Sequence, residues 1–260
     1  MGKDEGSIKA VKKILLAITF LTRLPFPIPK SISPDDMGRT TPFFPMVGLL
    51  IGLILVVINY ALSYIWAPYI VNVLLIISLI VITGGLHLDG LMDTCDGIFS
   101  GKDRERTLEI MHDSRVGAMG VLGAICIIVL KMVFLSAANP GSKMAALIAF
   151  PMLGRFSMVF AVSAFPYART SPGLGSLFVE YAKKRYIFWA IVQVLVVTIP
   201  LLLWKAFPVI VIVVAFTWLL GKWLTNRLEG LTGDTYGAIC EITETMSLAL
   251  ISAIDNVSSM

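Results

Sequence analysis

Residues 84–120 read GGLHLDGLMDTCDGIFSGKDRERTLEIMHDSRVGAMG. Asp89, Asp93, Asp96 and Asp113 stand in this stretch together with Arg104, Arg106 and Arg115. The flanking segments, residues 68–86 and 116–138, are almost wholly apolar, and each is close to the roughly 20 residues a membrane-crossing helix needs. Charged groups packed between two such segments are costly to keep there without a purpose. The first three acids fall at i, i+4 and i+7, which on a helix of about 3.6 residues per turn puts them on one face. Carboxylates so arranged repel one another unless a cation sits among them. Hard oxygen ligands with no required Cys or His suit Mg²⁺, with Mn²⁺ as a substitute, rather than zinc. Gly90 and Gly97 allow backbone or substrate to come close. A merely solvated helix end is the plainer alternative, but it would mix Lys with Glu and needs no one-face spacing.

Working outward, the whole chain has the composition of a membrane protein. Of its 260 residues 57% are hydrophobic and only 15% charged, and the mean hydropathy is +0.86. A soluble domain is about 45–50% apolar and about 25% charged. The apolar runs are too long for the alternating short segments of a β-barrel. The expected fold class is therefore all-α: a polytopic helical bundle forming one integral membrane catalytic domain over residues 1–260. The formal charge of +4 suits anionic lipid or an anionic substrate, although the positive-inside bias alone would produce it. Nucleic acid is not an expected partner, because no basic run carries interleaved aromatics. Cys95, Cys126 and Cys240 are odd in number and widely spaced, and read as reduced thiols. The N-terminal MGKDEGS has Gly6 where a myristoylation pattern needs Ser or Thr, and the apolar run 14–21 is short for a signal peptide.

Residues 8–24 predict an amphipathic interfacial helix with Lys9, Lys12 and Lys13 on its basic face. Four prolines make 25–41 a loop. Seven spans follow, at 42–66, 68–86, 116–138, 144–165, 186–206, 208–226 and 236–254, with Pro200 expected to kink the fifth. Residues 87–115 form an acidic re-entry region. There Ser100-Gly101-Lys102-Asp103 caps a short surface helix over 104–113, and 166–185 is a polar loop. With the N-terminus in the cytoplasm, the segments 1–41, 87–115, 166–185 and 227–235 collect most of the Lys and Arg. The opposite loops hold only Lys143 and Lys205. This asymmetry places both acidic clusters on the cytoplasmic side of the cell membrane.

The second cluster begins at Asp234 in Thr232-Gly233-Asp234-Thr235, with Glu241 and Glu244 one and two turns deeper in an apolar helix. Asp234 is a candidate general base or ligand, and capping of the last span is the alternative. Glu241 is expected to share Asp234's face, meet the Asp89 triad and add a metal ligand. Pairing of Glu241 and Glu244 with Arg155 or Lys131 is the competing reading. His87 and Asp113 complete the catalytic candidates, and a lone histidine such as His87 is often structural. Arg104, Arg106, Arg115 and Arg39 are candidates to grip phosphate in bidentate fashion, ordinary positive-inside charge being their alternative. Carboxylates, a hard cation and arginines together fit phosphoryl transfer. No Ser/His/Asp set, H-E-x-x-H or P-loop is present.

The acidic stretch closely resembles the signature of the cobalamin synthase family, the adenosylcobinamide-GDP ribazoletransferases. Phe20-Leu-Thr-Arg-Leu-Pro25, Pro42-Phe-Phe-Pro-Met-Val-Gly48 and Thr232-Gly-Asp-Thr-Tyr-Gly-Ala238 extend the resemblance across nearly the whole chain. One departure is His112, where the family pattern has Arg before Asp-Ser-Arg. The resemblance implies that α-ribazole, or its 5′-phosphate, attacks the diphosphate of adenosylcobinamide-GDP. It implies release of GMP, formation of adenosylcobalamin or its 5′-phosphate, and Mg²⁺ as cofactor. A homodimer is a further expectation. Asp93-x-x-Asp96-Gly97 is also similar to the CDP-alcohol phosphotransferases, whose downstream acidic half is absent here. An intramembrane prenyltransferase would use two acidic motifs in the same way but release diphosphate. A transporter would show a broken-helix repeat, and none is evident.

Overall fold

The computed structural model describes residues 2–27, 32–169 and 173–258, with side chains from Ala10 to Val257. Lys30 lies outside the described residues, and Lys9 outside the described side chains. Twelve α-helices follow one another among the described residues: α1 (Gly2–Leu21), α2 (Pro34–Gly38), α3 (Phe44–Ser63), α4 (Pro68–Thr83), α5 (Leu86–Phe99), α6 (Arg104–Ile110), α7 (Ala118–Ala137), α8 (Pro140–Ala164), α9 (Leu174–Tyr181), α10 (Arg185–Leu202), α11 (Ala206–Leu228) and α12 (Gly233–Ser258). No strand forms among them. The one extended contact is a bridge between Tyr167 and Leu231, closed by Ala168 N–H to the Leu231 carbonyl (2.8 Å) and Leu231 N–H to the Pro166 carbonyl (2.8 Å).

α8 is the central mast, buried along most of its length and packed by α3, α10, α11 and α12. α3 comes close because Gly48 and Gly52 present no side chain. A Cβ on Gly48 would sit 2.4 Å from the Pro151 carbonyl, and one on Gly52 2.6 Å from Ile148 Cα. Small residues four apart are the usual device for such packing beside lipid. The apolar side chains of the outer helices point away from the bundle: Val57 is 68% exposed, Val196 68% and Phe207 73%. An inside-out apolar surface of this kind belongs in a bilayer, and the chain is a multi-pass membrane protein.

Five helical segments are long and apolar enough to cross a membrane, or six if the bent α4–α5 pair is one of them. Seven spans were expected, and the shortfall has two causes. α4 has only 16 residues, about 24 Å at 1.5 Å per residue. α10 and α11 run on through a 3₁₀ turn, Leu203–Lys205, and count together as one segment of 44 residues. Their contacts divide that segment into two legs. Leu202 and Lys205 lie beside Asn139 and Asp255 at one end of the bundle. Gln193 donates to the Pro42 carbonyl (2.9 Å) ahead of α3, and the Leu228 carbonyl meets Arg104. Within the bundle the chain runs toward the Asn139–Asp255 end on α10 and back on α11. Pro200 leaves α10 continuous as a helix, and the break falls at Leu203, whose φ is +53°.

Two stretches expected to be loops contain helices. α2 is held by a capping box in which Asp36 N–H donates to Ser33 Oγ (3.1 Å) and Ser33 N–H to Asp36 Oδ2 (3.2 Å). α9 carries Leu174, Leu177, Phe178 and Tyr181 at the spacing of one helix face. α2 and α9 pack on each other at Gly38, where a Cβ would meet the Tyr181 ring at 2.4 Å. Together with the end of α1 they cover the end of the bundle that carries the acidic residues.

Candidate active site at the junction of α5 and α12

α5 is aimed by two glycines. Gly84 (φ +64°) ends α4 and Gly85 (φ +71°) starts α5, both in the left-handed region that side chains disfavour. The axis turns by 91° there. The bend carries α5 under the start of α12, and glycine again sets the distance. A Cβ on Gly90 would lie 2.7 Å from the Asp234 carbonyl oxygen, and one on Gly237 3.0 Å from that of His87. The sequence-expected meeting of Asp234 with the Asp89 helix therefore occurs backbone to backbone.

Asp89 is exposed and Asp93 half-buried, and neither carboxylate makes a hydrogen bond or ion pair with a described residue. Asp89, Asp234 and Asp96 all lie close enough to Asp93 for their charges to act on it, and Arg169 is the nearby cation. Asp96 is committed differently. Its Oδ2 accepts from Gly117 N–H (2.7 Å) and its Oδ1 from Gly120 N–H (2.8 Å), so it caps α7 from a neighbouring helix. Gly117 and Gly120 make room for it: a Cβ on Gly117 would lie 2.3 Å from Asp96 Oδ1.

Asp234 is not the cap of α12. Thr232 and Thr235 fill that role reciprocally, through Thr235 N–H to Thr232 Oγ1 (3.3 Å) and Thr232 N–H to Thr235 Oγ1 (2.8 Å). Asp234 Oδ2 accepts from Arg169 Nη2 (2.8 Å) and from the Thr232 hydroxyl (3.3 Å). Both bonds fall on one oxygen, leaving Oδ1 available. Arg169, which sequence reasoning counted only as loop charge, is thus the arginine in the site. The Tyr167–Leu231 bridge and Arg104 hold its segment. Arg104 donates from Nε to the Leu228 carbonyl (2.9 Å) and from Nη2 to the Ala168 carbonyl (2.9 Å). A cleft of about 270 Å³, lined by Arg104, His112 and Arg169 among others, opens beside it.

The other expected contributors are placed elsewhere. Glu241 does not join the Asp89 face. It is buried and bonded by Lys131 Nζ (2.6 Å), while Glu244 bridges Lys131 and Arg155. Two cations opposite two carboxylates satisfy each other, so no charge on Glu241 is left for a metal. Asp113 takes Arg115 in a fork, Nη2 to Oδ2 at 2.6 Å and Nε to Oδ1 at 3.0 Å. These bonds hold the Asp113 carboxyl down at about 2. Arg106 pairs with Glu109 (2.7 Å), and Arg39 pairs with Asp35 (2.7 Å) and lies over the Tyr181 ring. His87 is 2% exposed, with Nδ1 3.3 Å from Arg155 Nη2.

Among the described residues no three Asp, Glu, His or Cys side chains converge as a ready coordination shell. The donor set nevertheless fits a hard divalent ion. Mg²⁺ is commonly held by one or two carboxylates with waters and substrate phosphates completing its shell, and Asp89 with Asp93 offers that pair.

Fold and site together define a polytopic membrane protein with an acidic, arginine-braced centre at one end of its bundle. The family model described as cobalamin-5-phosphate synthase matches residues 13–252. The chain is 41% identical to the adenosylcobinamide-GDP ribazoletransferase of Desulforamulus reducens, over 91% of this chain and 94% of that one. It is 40% identical to the protein of that name in Acetivibrio thermocellus, over 94% and 98%. It is 36% identical to that of Clostridium acetobutylicum, over 94% and 96%. No solved structure matches the chain. The chain belongs to the cobalamin-5-phosphate synthase family.

Proposed function

We propose that the chain is an adenosylcobinamide-GDP ribazoletransferase working at the α5–α12 junction. The observation that carries this reading is the pair of unpartnered carboxylates, Asp89 and Asp93, beside an Asp234 held by Arg169. The 5′-oxygen of α-ribazole, or of its phosphate form, bonds to the phosphorus bearing the cobinamide. The bond from that phosphorus to the bridging oxygen breaks, and GMP leaves with the oxygen and the electron pair.

Asp89 and Asp93 would hold Mg²⁺, and when bound it would supply the positive charge that neutralises phosphate oxygens and favours attack at phosphorus. Asp234 Oδ1 takes the hydroxyl proton, while the bonds from Arg169 and Thr232 to Oδ2 fix the carboxylate's orientation. Arg169 also places a guanidinium against the phosphates, where charge grows on the leaving oxygen. Arg104 positions Arg169 by gripping the adjacent carbonyl. Asp96 acts on architecture, holding α5 to α7. In this reading the site end of the bundle faces the cytoplasm, where most of the Lys and Arg lie.

The test is GMP release by the purified protein in detergent, supplied with adenosylcobinamide-GDP and α-ribazole, with Mg²⁺ and with chelator. GMP formed only with both substrates and the metal supports the reading. Release of inorganic diphosphate, or metal-independent turnover, overturns it.

A further inference from the structure

A second cavity, of about 420 Å³, lies at the end of the bundle away from the acidic site, where the α3–α4 and α7–α8 turns meet. Its size is that of a ligand cleft, about 300–1,000 Å³. Asn59, Ser63 and Trp66 line it from α3 and the turn that follows, Asn72 from α4, Ser136 from α7 and Lys143 from the first turn of α8. Tyr64, Trp66 and Tyr69 are exposed around the α3–α4 turn, and such aromatics gather where a bilayer meets water.

The polar groups of this cavity divide into bonded and unbonded. Asn72 Nδ2 donates to Ser136 Oγ (2.9 Å), Ser136 Oγ to the Met132 carbonyl (2.8 Å) and Ser63 Oγ to the Asn59 carbonyl (2.6 Å). Three donors are left over. Asn59 is 8% exposed; its Oδ1 is enclosed, whereas its Nδ2 stays accessible and bonds to no described residue. Lys143 Nζ and the Trp66 indole N–H also have no partner among the described residues. No Asp or Glu lines the cavity among the described residues. Asp255, the acid in the neighbouring cavity, is already bonded by Lys205 Nζ (2.7 Å) and by Ser142. Lys143 is therefore a half-buried cation without a counter-charge, which a membrane bundle rarely keeps. Three donors and one positive charge call for an anion with several acceptor oxygens, and a phosphate group is one.

We propose that this cavity holds the headgroup of one anionic phospholipid of the phosphatidylglycerol class, its phosphate oxygens accepting from Lys143, Asn59 and Trp66. The position at the bilayer boundary favours a lipid over a soluble phosphate. α4 and α7, which both border the cavity, expose Val73, Ile77, Val129 and Val133 to the surrounding lipid, and acyl chains can lie along them. The absence of a carboxylate favours a headgroup that carries no cation of its own. A choline or ethanolamine ammonium would find no acid there and would be repelled by Lys143. Lys143 is in this assignment the residue that selects net negative lipid, and Asn59 is the buried donor that fixes the phosphate between α3 and α8.

The experiment titrates delipidated full-length protein in detergent and reads the affinity of the first bound lipid by native mass spectrometry. It needs neither substrate nor metal, so it stands apart from the GMP-release assay. The probes are phosphatidylglycerol and phosphatidylcholine with identical acyl chains, with inorganic phosphate as competitor. Wild type is expected to favour phosphatidylglycerol by about tenfold, the scale of one partly screened charge interaction. Lys143→Gln is expected to erase that preference and Lys143→Arg to keep it. Lys222→Gln, which removes an exposed cation of α11 packed on the Trp218 ring, is expected to leave it unchanged. Asn59→Ala is expected to lower phosphatidylglycerol affinity about fivefold, the worth of one hydrogen bond, and stands as the test if Lys143→Gln does not fold. Equal binding of the two lipids by wild type, a preference that survives in Lys143→Gln, an equal loss in Lys222→Gln, or an unaltered affinity in Asn59→Ala each overturns the assignment. Displacement of the lipid by inorganic phosphate overturns it in favour of a soluble anion.

Discussion

α12 carries carboxylates at its mouth and in its interior, and the two regions handle charge in opposite ways. In the interior, Glu241 and Glu244 face Lys131 and Arg155, two charges against two, all deeply buried and joined by ion pairs. At the mouth, Asp89, Asp93, Asp96 and Asp234 crowd together with Arg169 as their near cation. Balanced charge inside a membrane bundle is architecture, because every group has been given its partner by the chain. Unbalanced charge at a glycine-lined crossing is left for something that arrives from outside. Carboxylate content alone does not separate the two regions; the count of opposing cations does.

The comparison is broken most directly at Asp93. Asp93→Ala is expected to lower turnover at least about 1,000-fold, roughly the worth of a lost metal ligand, while leaving the thermal transition in detergent near that of wild type. Large destabilisation with retained turnover would make the mouth architectural as well. Glu244→Gln is expected to do the reverse. It strands part of the charge of Arg155 and Lys131 and costs about 3–5 kcal/mol of stability, read as a lower thermal transition. Asp234→Asn keeps the Thr232–Thr235 cap, and is expected to lose about 100-fold in turnover with little change in melting, in line with a general base. Asp113→Asn gives the smallest effect, turnover within about twofold of wild type. Arg115 lowers the Asp113 pKa, so the attraction is fully present above the usual carboxyl range near about 4 and is lost only as pH falls through about 2. From about pH 5 to 8 the activity profiles of Asp113→Asn and wild type should superimpose.

Much of this was legible in the sequence. The apolar runs located the crossing helices, and the i, i+4, i+7 acids located α5. Asp103 was readable as the cap of α6, and its Oδ1 accepts from Arg106 N–H at 2.9 Å. Periodicity could not show that Asp96 would be consumed by two backbone N–H groups on α7, because that depends on where Gly117 and Gly120 come to lie. Glu241 sits on the turn expected for a site residue, but the Lys131 that claims it is distant in sequence. Arg169 looked like one charge among several in a polar loop, and only the pairing of Tyr167 with Leu231 brings it to Asp234. The helices α2 and α9 were hidden by surrounding prolines, glycines and polar residues. The signals were present, as Ser33-x-x-Asp36 and as the Leu174, Leu177, Phe178, Tyr181 face.

The interior ion pairs also set a timetable for making the protein. Lys131 and its partner Glu241 are 110 residues apart in sequence, and Arg155 and Glu244 are 89 apart. At about 5–20 residues per second, a ribosome takes roughly 5–20 s after producing Lys131 to produce its counter-ion. Throughout that interval α7 carries a cation that lipid penalises by about 2.5–3.5 kcal/mol at mid-bilayer. α7 and α8 are thus committed to a proteinaceous or wet environment until α12 emerges, and α12 is the helix that releases them into the membrane.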